Sequence, residues 1–201
     1  TTWSFMMRDT IIKSTLLAAT LAFGSSAFAA PSGQMLGYTC AGCHGTNGAS
    51  TGNAIPSIAG LSETYMIDTM NAYKSGDKSS TIMGRIAKGY SEENIEEIAT
   101  FFAEQEVHKN TNQSFDSAKA NSGQALHEKY CDKCHTEGGT VADDDAGQLS
   151  GNAKLYTQYS LADFHDGSRD MEKKMAKKMK RMLKKDSDAF DKLINYYTSG
   201  Q

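Results

Sequence analysis

The chain's four cysteines fall as two close pairs, each followed at once by histidine: Cys40-Ala41-Gly42-Cys43-His44 and Cys131-Asp132-Lys133-Cys134-His135. Two thiols one helical turn apart can each add to a vinyl group on the same porphyrin edge, and the adjacent imidazole then points at the iron. A Cys-x-x-Cys pair can also be half of a zinc site, a redox dithiol or part of a disulfide framework. Two copies that use every cysteine, each with its histidine in place, favour haem attachment over these. The expectation is two haem c groups, held covalently through Cys40, Cys43, Cys131 and Cys134. His44 and His135 would be the proximal iron ligands.

An electron-transfer haem needs a sixth ligand, and methionine opposite histidine is a common choice that raises the potential. In the first half the candidate is Met83, in Ser79-Ser80-Thr81-Ile82-Met83-Gly84-Arg85. Met66 and Met70 fall inside a helical pattern and are read as core. In the second half Met171 follows the loop-like Gly167-Ser168-Arg169-Asp170, and Met175 is the alternative. Met175, Met179 and Met182 recur at helical spacing and read as a buried helix face. His108, His127 and His165 fit no ligand pattern and are read as surface or satisfied core residues.

These groups must be positioned twice by one repeated unit. Cys131 lies 91 residues after Cys40, and the same offset pairs Gly60 with Gly151, Tyr65 with Tyr156, Tyr73 with Phe164 and Gly76 with Gly167. The duplication predicts an all-α fold of two tandem small cytochrome c-type domains, each wrapped around one covalently attached haem. Domains this small bury little core of their own, and the haem supplies the missing apolar centre. The predicted boundaries are 30–108 for the first domain, 109–121 for a linker and 122–201 for the second. Helices are expected at Gly33–Tyr38, Glu63–Tyr73 and Ser91–Gln105, and again at Ser122–Tyr130, Lys154–Phe164 and Ser187–Tyr197. Gly45–Ser57 and Thr136–Ser150 read as loops. Ser91 resembles a capped helix start, and Ile95, Ile98, Ala99 and Phe102 form the apolar stripe behind it. The register breaks near Met83, whose partner at the 91 offset is Lys174. Pro56, placed to support the proximal histidine, has Gly147 as its equivalent, so a different loop is expected around His135.

The chain of 201 residues is 39% hydrophobic and 22% charged, with net charge −3. Nothing in that balance points to nucleic acid, disorder or a multi-span membrane protein. Arg8 and Lys13 precede the apolar run Leu16–Phe23, which ends in Ala27-Phe28-Ala29. That pattern reads as a secretory signal peptide within residues 1–29, too short to span a bilayer comfortably. The mature protein is expected in the periplasm. Thr1–Phe5 precede the first methionines and are set aside from the fold.

Charge is uneven. Arg169, Lys173, Lys174, Lys177, Lys178, Lys180, Arg181, Lys184 and Lys185 crowd one segment, while Asp143, Asp144 and Asp145 sit in the second haem loop. Two readings stay open: a solvated helix face opposite the methionine stripe, or a docking surface for an acidic redox partner.

The sequence resembles the dihaem cytochrome subunit of flavocytochrome c sulfide dehydrogenases, within the wider class similar to cytochrome c4. The resemblance rests on Ser79–Ser91, on Gln113-Ser114-Phe115-Asp116, and on Lys129–His135 with Glu137-Gly138-Gly139. Met171-Glu172-Lys173-Lys174-Met175-Ala176 adds a fourth stretch. It implies a periplasmic heterodimer in which an FAD-containing flavoprotein subunit oxidises sulfide. This chain would take the electrons and pass them to a soluble acceptor cytochrome. The chain has no G-x-G-x-x-G fingerprint and every cysteine is committed to haem, so FAD is expected on the partner and no catalytic site here. The first domain's near-neutral surface and the family's architecture place its haem towards the flavin. Two other functions compete: a free-standing dihaem shuttle to a terminal oxidase, and a dihaem peroxidase. The peroxidase needs an open iron position, against which a methionine for each haem argues.

Overall fold

The computed structural model describes residues 30–200 except Ala142. The expected signal peptide lies outside the described residues. Nine α-helices and two short 3-10 turns form the described chain: α1 Gly33–Tyr38, α2 Ala41–His44, α3 Glu63–Ser75, α4 Met83–Ala87, α5 Glu92–Ala103, α6 Ser117–Tyr130, α7 Lys154–Asp166, α8 Lys173–Leu183 and α9 Ala189–Ser199. The turns, Thr46–Gly48 and Glu137–Gly139, lie in the two loops that follow the Cys-x-x-Cys-His motifs. No helix among the described residues is long and apolar enough to cross a membrane.

Five of the nine described helices start at a side-chain cap. Ser32, Ser62 and Ser91 each accept a hydrogen bond from a backbone N–H of the first turn of α1, α3 and α5. Asp116 does the same for Lys119 at α6. That cap starts α6 at Ser117, five residues before the expected Ser122, so the end of the expected linker is helix. The apolar pattern hid this start, because the first turn of α6 carries little besides alanine to bury. The rest of 109–116 is tied down. Asn110 is buried and donates to the Gly52 carbonyl at 2.9 Å, and Gln113 donates to the Asn152 carbonyl at 2.9 Å.

Two apolar clusters form, one from each half. Leu61, Met66, Met70, Ile95, Ile98 and Phe102 join in the first, which buries the expected α5 stripe together with Met66 and Met70. Met179, Met182, Leu193, Tyr196 and Tyr197 join in the second, with the predicted methionine stripe on its inner side. The repeat is visible in the backbone. Gly60 N–H donates to the Phe102 carbonyl at 2.9 Å, and Gly151 N–H to the Tyr197 carbonyl at 2.7 Å. Gly76 and Gly167 close α3 and α7 in the left-handed conformation that glycine adopts without steric cost.

The register is 91 between these landmarks and differs outside them. Gly33 and Gly123, 90 apart, each lie against the terminal helix of their half, at the Glu97 and Lys192 carbonyls. Second, Phe102 and Tyr197, 95 apart, are equivalent through the bonds just described. One residue is therefore added at the end of α6, and four more beyond Gly167, where α8 has eleven residues against five in α4.

Candidate functional site

The first Cys-x-x-Cys-His motif is a single helical turn. Cys43 N–H and His44 N–H both donate to the Cys40 carbonyl, at 3.1 and 2.9 Å, which places both thiols and the imidazole on one short segment. His44 is buried, and Nδ1 donates to the Pro56 carbonyl at 2.8 Å. That bond fixes the tautomer and leaves Nε2 with a free lone pair, the arrangement of a metal-ligating histidine. Burial pushes the His44 pKa down despite the Pro56 bond, which keeps the ring neutral. Met83 opens α4 and is half-buried against the first cluster. A cavity of about 240 Å³, lined in part by Tyr73, Lys78, Ile82 and Arg85, lies beside this segment.

The second motif is built differently. Cys134 N–H and His135 N–H again donate to the Cys131 carbonyl, at 3.1 and 3.0 Å, but the segment is a turn and α6 ends just before it. His135 Nδ1 is buried without a partner. Gly147 therefore does not do for His135 what Pro56 does for His44, in line with the expected loop difference. Met171 lies two residues before α8, half-buried, and Met175 lies in its first turn, also half-buried; both pack against the second cluster. Glu172 caps the helix between them through Lys174 N–H and Met175 N–H.

His127, read in the sequence as surface or core, is core at 1% exposure. Its Nδ1 is 2.9 Å from the Tyr197 hydroxyl, and that hydroxyl also bonds the Cys131 thiol. Burial lowers the His127 pKa, so the 3.5 Å approach of Asp132 meets a neutral ring. Burial likewise holds the Tyr197 phenol well above its ordinary value.

Where the halves meet, the structure gathers groups that sequence reading left apart. Leu155 N–H donates to the Asn53 carbonyl at 2.7 Å, Ser57 N–H to Asn152 Oδ1 at 3.1 Å, and the Ser79 hydroxyl to the Ser168 carbonyl at 3.0 Å. Ser62 and Asp144 also bond across this seam. Beside them Lys78 Nζ lies 5.1 Å from the Tyr73 ring centre and 5.7 Å from that of Tyr65. Arg169 lies 4.2 Å over Phe164. Burial first, then Arg169, lowers the Lys78 pKa to about 8. Neither cation has an ion pair within 4 Å among the described residues. The repeat carried the signal, because Lys78 and Arg169 are 91 apart, as are Tyr65 and Tyr156.

These features fit a haem in each half. All four thiols are free, and with Nδ1 on the Pro56 carbonyl His44 keeps the Nε2 lone pair for a metal. At the seam, two cations lack the anions that haem propionates would supply.

Comparison with known proteins bears on the same segments. The sequence profile of the cytochrome c family matches residues 24–107. The cytochrome subunit of sulfide dehydrogenase from Chlorobaculum tepidum is 49% identical over 70 residues, 35% of this chain; the chain spans 63% of that relative's length. Cytochrome c4 from Stutzerimonas stutzeri is 30% identical over 159 residues, covering 70% of this chain and 74% of that one. Among solved structures, reduced recombinant cytochrome c4 from Pseudomonas stutzeri superposes with a TM-score of 0.70 at 24% identity. That match covers 83% of this chain and 96% of the other.

Proposed function

Since the chain belongs to the cytochrome c family, in its cytochrome c4-like class, and carries covalent haem for electron transfer, we propose that it holds two haems and serves a sulfide-oxidising flavoprotein. Cys40 and Cys43 attach the first haem and Cys131 and Cys134 the second. His44 and Met83 would ligate the first iron, and His135 and Met171 the second. The bound haem supplies a one-electron couple.

The protein's own groups do the rest. Pro56 orients the His44 ring through its carbonyl and fixes which nitrogen faces the iron. Met66, Met70, Ile98 and Phe102 in one half, and Met179, Met182 and Leu193 in the other, exclude water, which favours the less charged, reduced state of each site. Lys78 and Arg169, in no ion pair among the described residues, would neutralise haem carboxylates near the seam and so raise the potential of the haem they serve. Replacing Lys78 by methionine is therefore expected to lower the potential of at least one haem by a few tens of mV, since a unit charge several ångströms away is worth on the order of 1–2 kcal/mol at an effective dielectric near 20. Spectroelectrochemical titration checks this, and an Arg replacement, which keeps the charge, is expected to restore the potential.

The observation that carries the sulfide reading is the 49% identity to a sulfide dehydrogenase cytochrome subunit. In this reading the haem of the first half accepts electrons from FAD on the partner subunit, and a soluble cytochrome accepts them from the second. The protein then works in the periplasm after removal of residues 1–29. A tagged chain purified from its native host tests it. A co-purifying flavoprotein and haem reduction on adding sulfide are the expected results. A lone cytochrome that sulfide leaves oxidised, and a chemical donor reduces, moves the function to a free-standing shuttle, the reading favoured by the longer match to cytochrome c4.

A further inference from the structure

Helix α8 carries Lys173, Lys174, Lys177, Lys178, Lys180 and Arg181, all exposed, and Lys184 and Lys185 follow it. Between residues 169 and 185 nine Lys and Arg stand against two acids, Asp170 and Glu172, a charge of +7 in a chain whose total is −3. Ion pairs within 4 Å among the described residues involve Lys119, His127 and Lys192, and none of the α8 cations. A cluster that repels itself and is not neutralised locally costs stability. The corresponding helix of the first half, α4, instead exposes Ile82 and Ile86 beside Arg85 and Lys88.

The patch is placed at the second haem motif. Met179 and Met182 on the inner side of α8 pack in the same cluster as Cys131, and Lys178 acts electrostatically on the Cys131 thiol. Met171 and Met175 sit at its N-terminal end. With Met179 and Met182 buried, the apolar side of α8 is committed to the protein, so the helix cannot lay that side into a lipid surface as an interfacial helix must. What it offers outward is cationic surface beside Cys131, one of the two thiols that would attach the second haem.

We propose that the exposed face of α8 is the electron-exit surface and docks a small acidic redox protein, whose carboxylates ring its own redox centre. Charge steers the encounter and holds the two redox groups close long enough for one electron to pass, reducing the acceptor and oxidising this chain. The proposal rests on the electron-transfer reading above and is independent of what reduces the protein.

The test uses the haem-loaded chain, pre-reduced with ascorbate so that the donor is bypassed. Oxidation is followed with anionic hexacyanoferrate(III) and with cationic tris(phenanthroline)cobalt(III). The wild type is expected to react with the anion at a rate that falls steeply with ionic strength. Lys177→Glu with Lys178→Glu is expected to slow the anion about tenfold at low salt and to speed the cation, in the range of electrostatic steering. Lys177→Arg with Lys178→Arg is expected to leave both rates unchanged. Rates that do not respond to the Glu pair overturn the proposal. Independently, amide shifts on titrating a short oligoglutamate peptide into the wild type are expected to cluster on α8. Shifts elsewhere, or binding to phosphatidylglycerol vesicles without binding to the peptide, overturn it as well.

Discussion

Replacing Met171 by alanine is expected to remove the second haem's share of the methionine-linked absorption band and to lower its potential by on the order of a few hundred mV. Axial ligands set haem potentials over about 0.8 V, and a thioether opposite histidine lies towards the high end. Met83→Ala is expected to do the same to the first haem, and the double variant to lose the band altogether. Met175→Ala is the discriminating control. Met175 N–H donates to Glu172 Oε2 at 3.2 Å, and its side chain continues the stripe of Met179 and Met182, so its loss is expected to cost packing and leave the band. Loss of half a large side chain's burial costs about 2 kcal/mol, too little to mimic a change of ligand. If Met175→Ala takes the band and Met171→Ala spares it, the ligand belongs to the helix and the assignment of Met171 is wrong.

Introducing a side chain at Gly33 or Gly123 is expected to force apart the helix pair that closes each half. A Cβ at Gly33 would lie 2.2 Å from the Glu97 carbonyl oxygen, and one at Gly123 2.2 Å from that of Lys192. Both obstacles are backbone, so helices α1 and α5, or α6 and α9, would have to separate. Alanine gains up to about 1 kcal/mol of helix propensity over glycine, while overpacking of this kind costs about 1–3 kcal/mol or more. Separating the helices also loosens Phe101 in the first half and Tyr196 in the second, each within 3.2 Å of the new atom. The net expectation for Gly→Val is a loss on the order of 3 kcal/mol and a fall in Tm of about 10 °C, read by calorimetry on the haem-loaded protein. Gly42→Ala, where a Cβ would meet nothing within 4 Å, is expected to leave Tm unchanged.

Much of the fold follows from signals between residues close in the chain, which is why it is legible without coordinates. The spacing of Cys40, Cys43 and His44 within one turn, the serine cap before α5, the stripe of Ile95, Ile98 and Phe102, and the run Met175, Met179, Met182 each depend on neighbours within about two turns. The 91-residue repeat extends that local information into the expectation of two similar halves. Its limits are also local. Asp116 alone, with no apolar residues behind it, did not mark the start of α6, and the change of register after Gly167 left Met171 and Met175 both open as the counterpart of Met83.

Other features needed the packed chain. Whether Pro56 or Gly147 reaches a histidine depends on how a loop of a dozen residues folds back, and only the structure shows His44 paired and His135 Nδ1 buried alone. His127 becomes core only because Tyr197, 70 residues away, closes over it. Lys78 and Arg169 become neighbours only when the two halves meet. From the sequence alone come the two Cys-x-x-Cys-His motifs, the helical class and the crowding of positive charge on one segment. Tertiary structure alone decides which charges stay unpaired, which imidazole is held and where the basic helix lies. The physical reason is range: helix periodicity and capping act over a few residues, whereas burial and charge pairing are set by groups that the chain brings together from far apart.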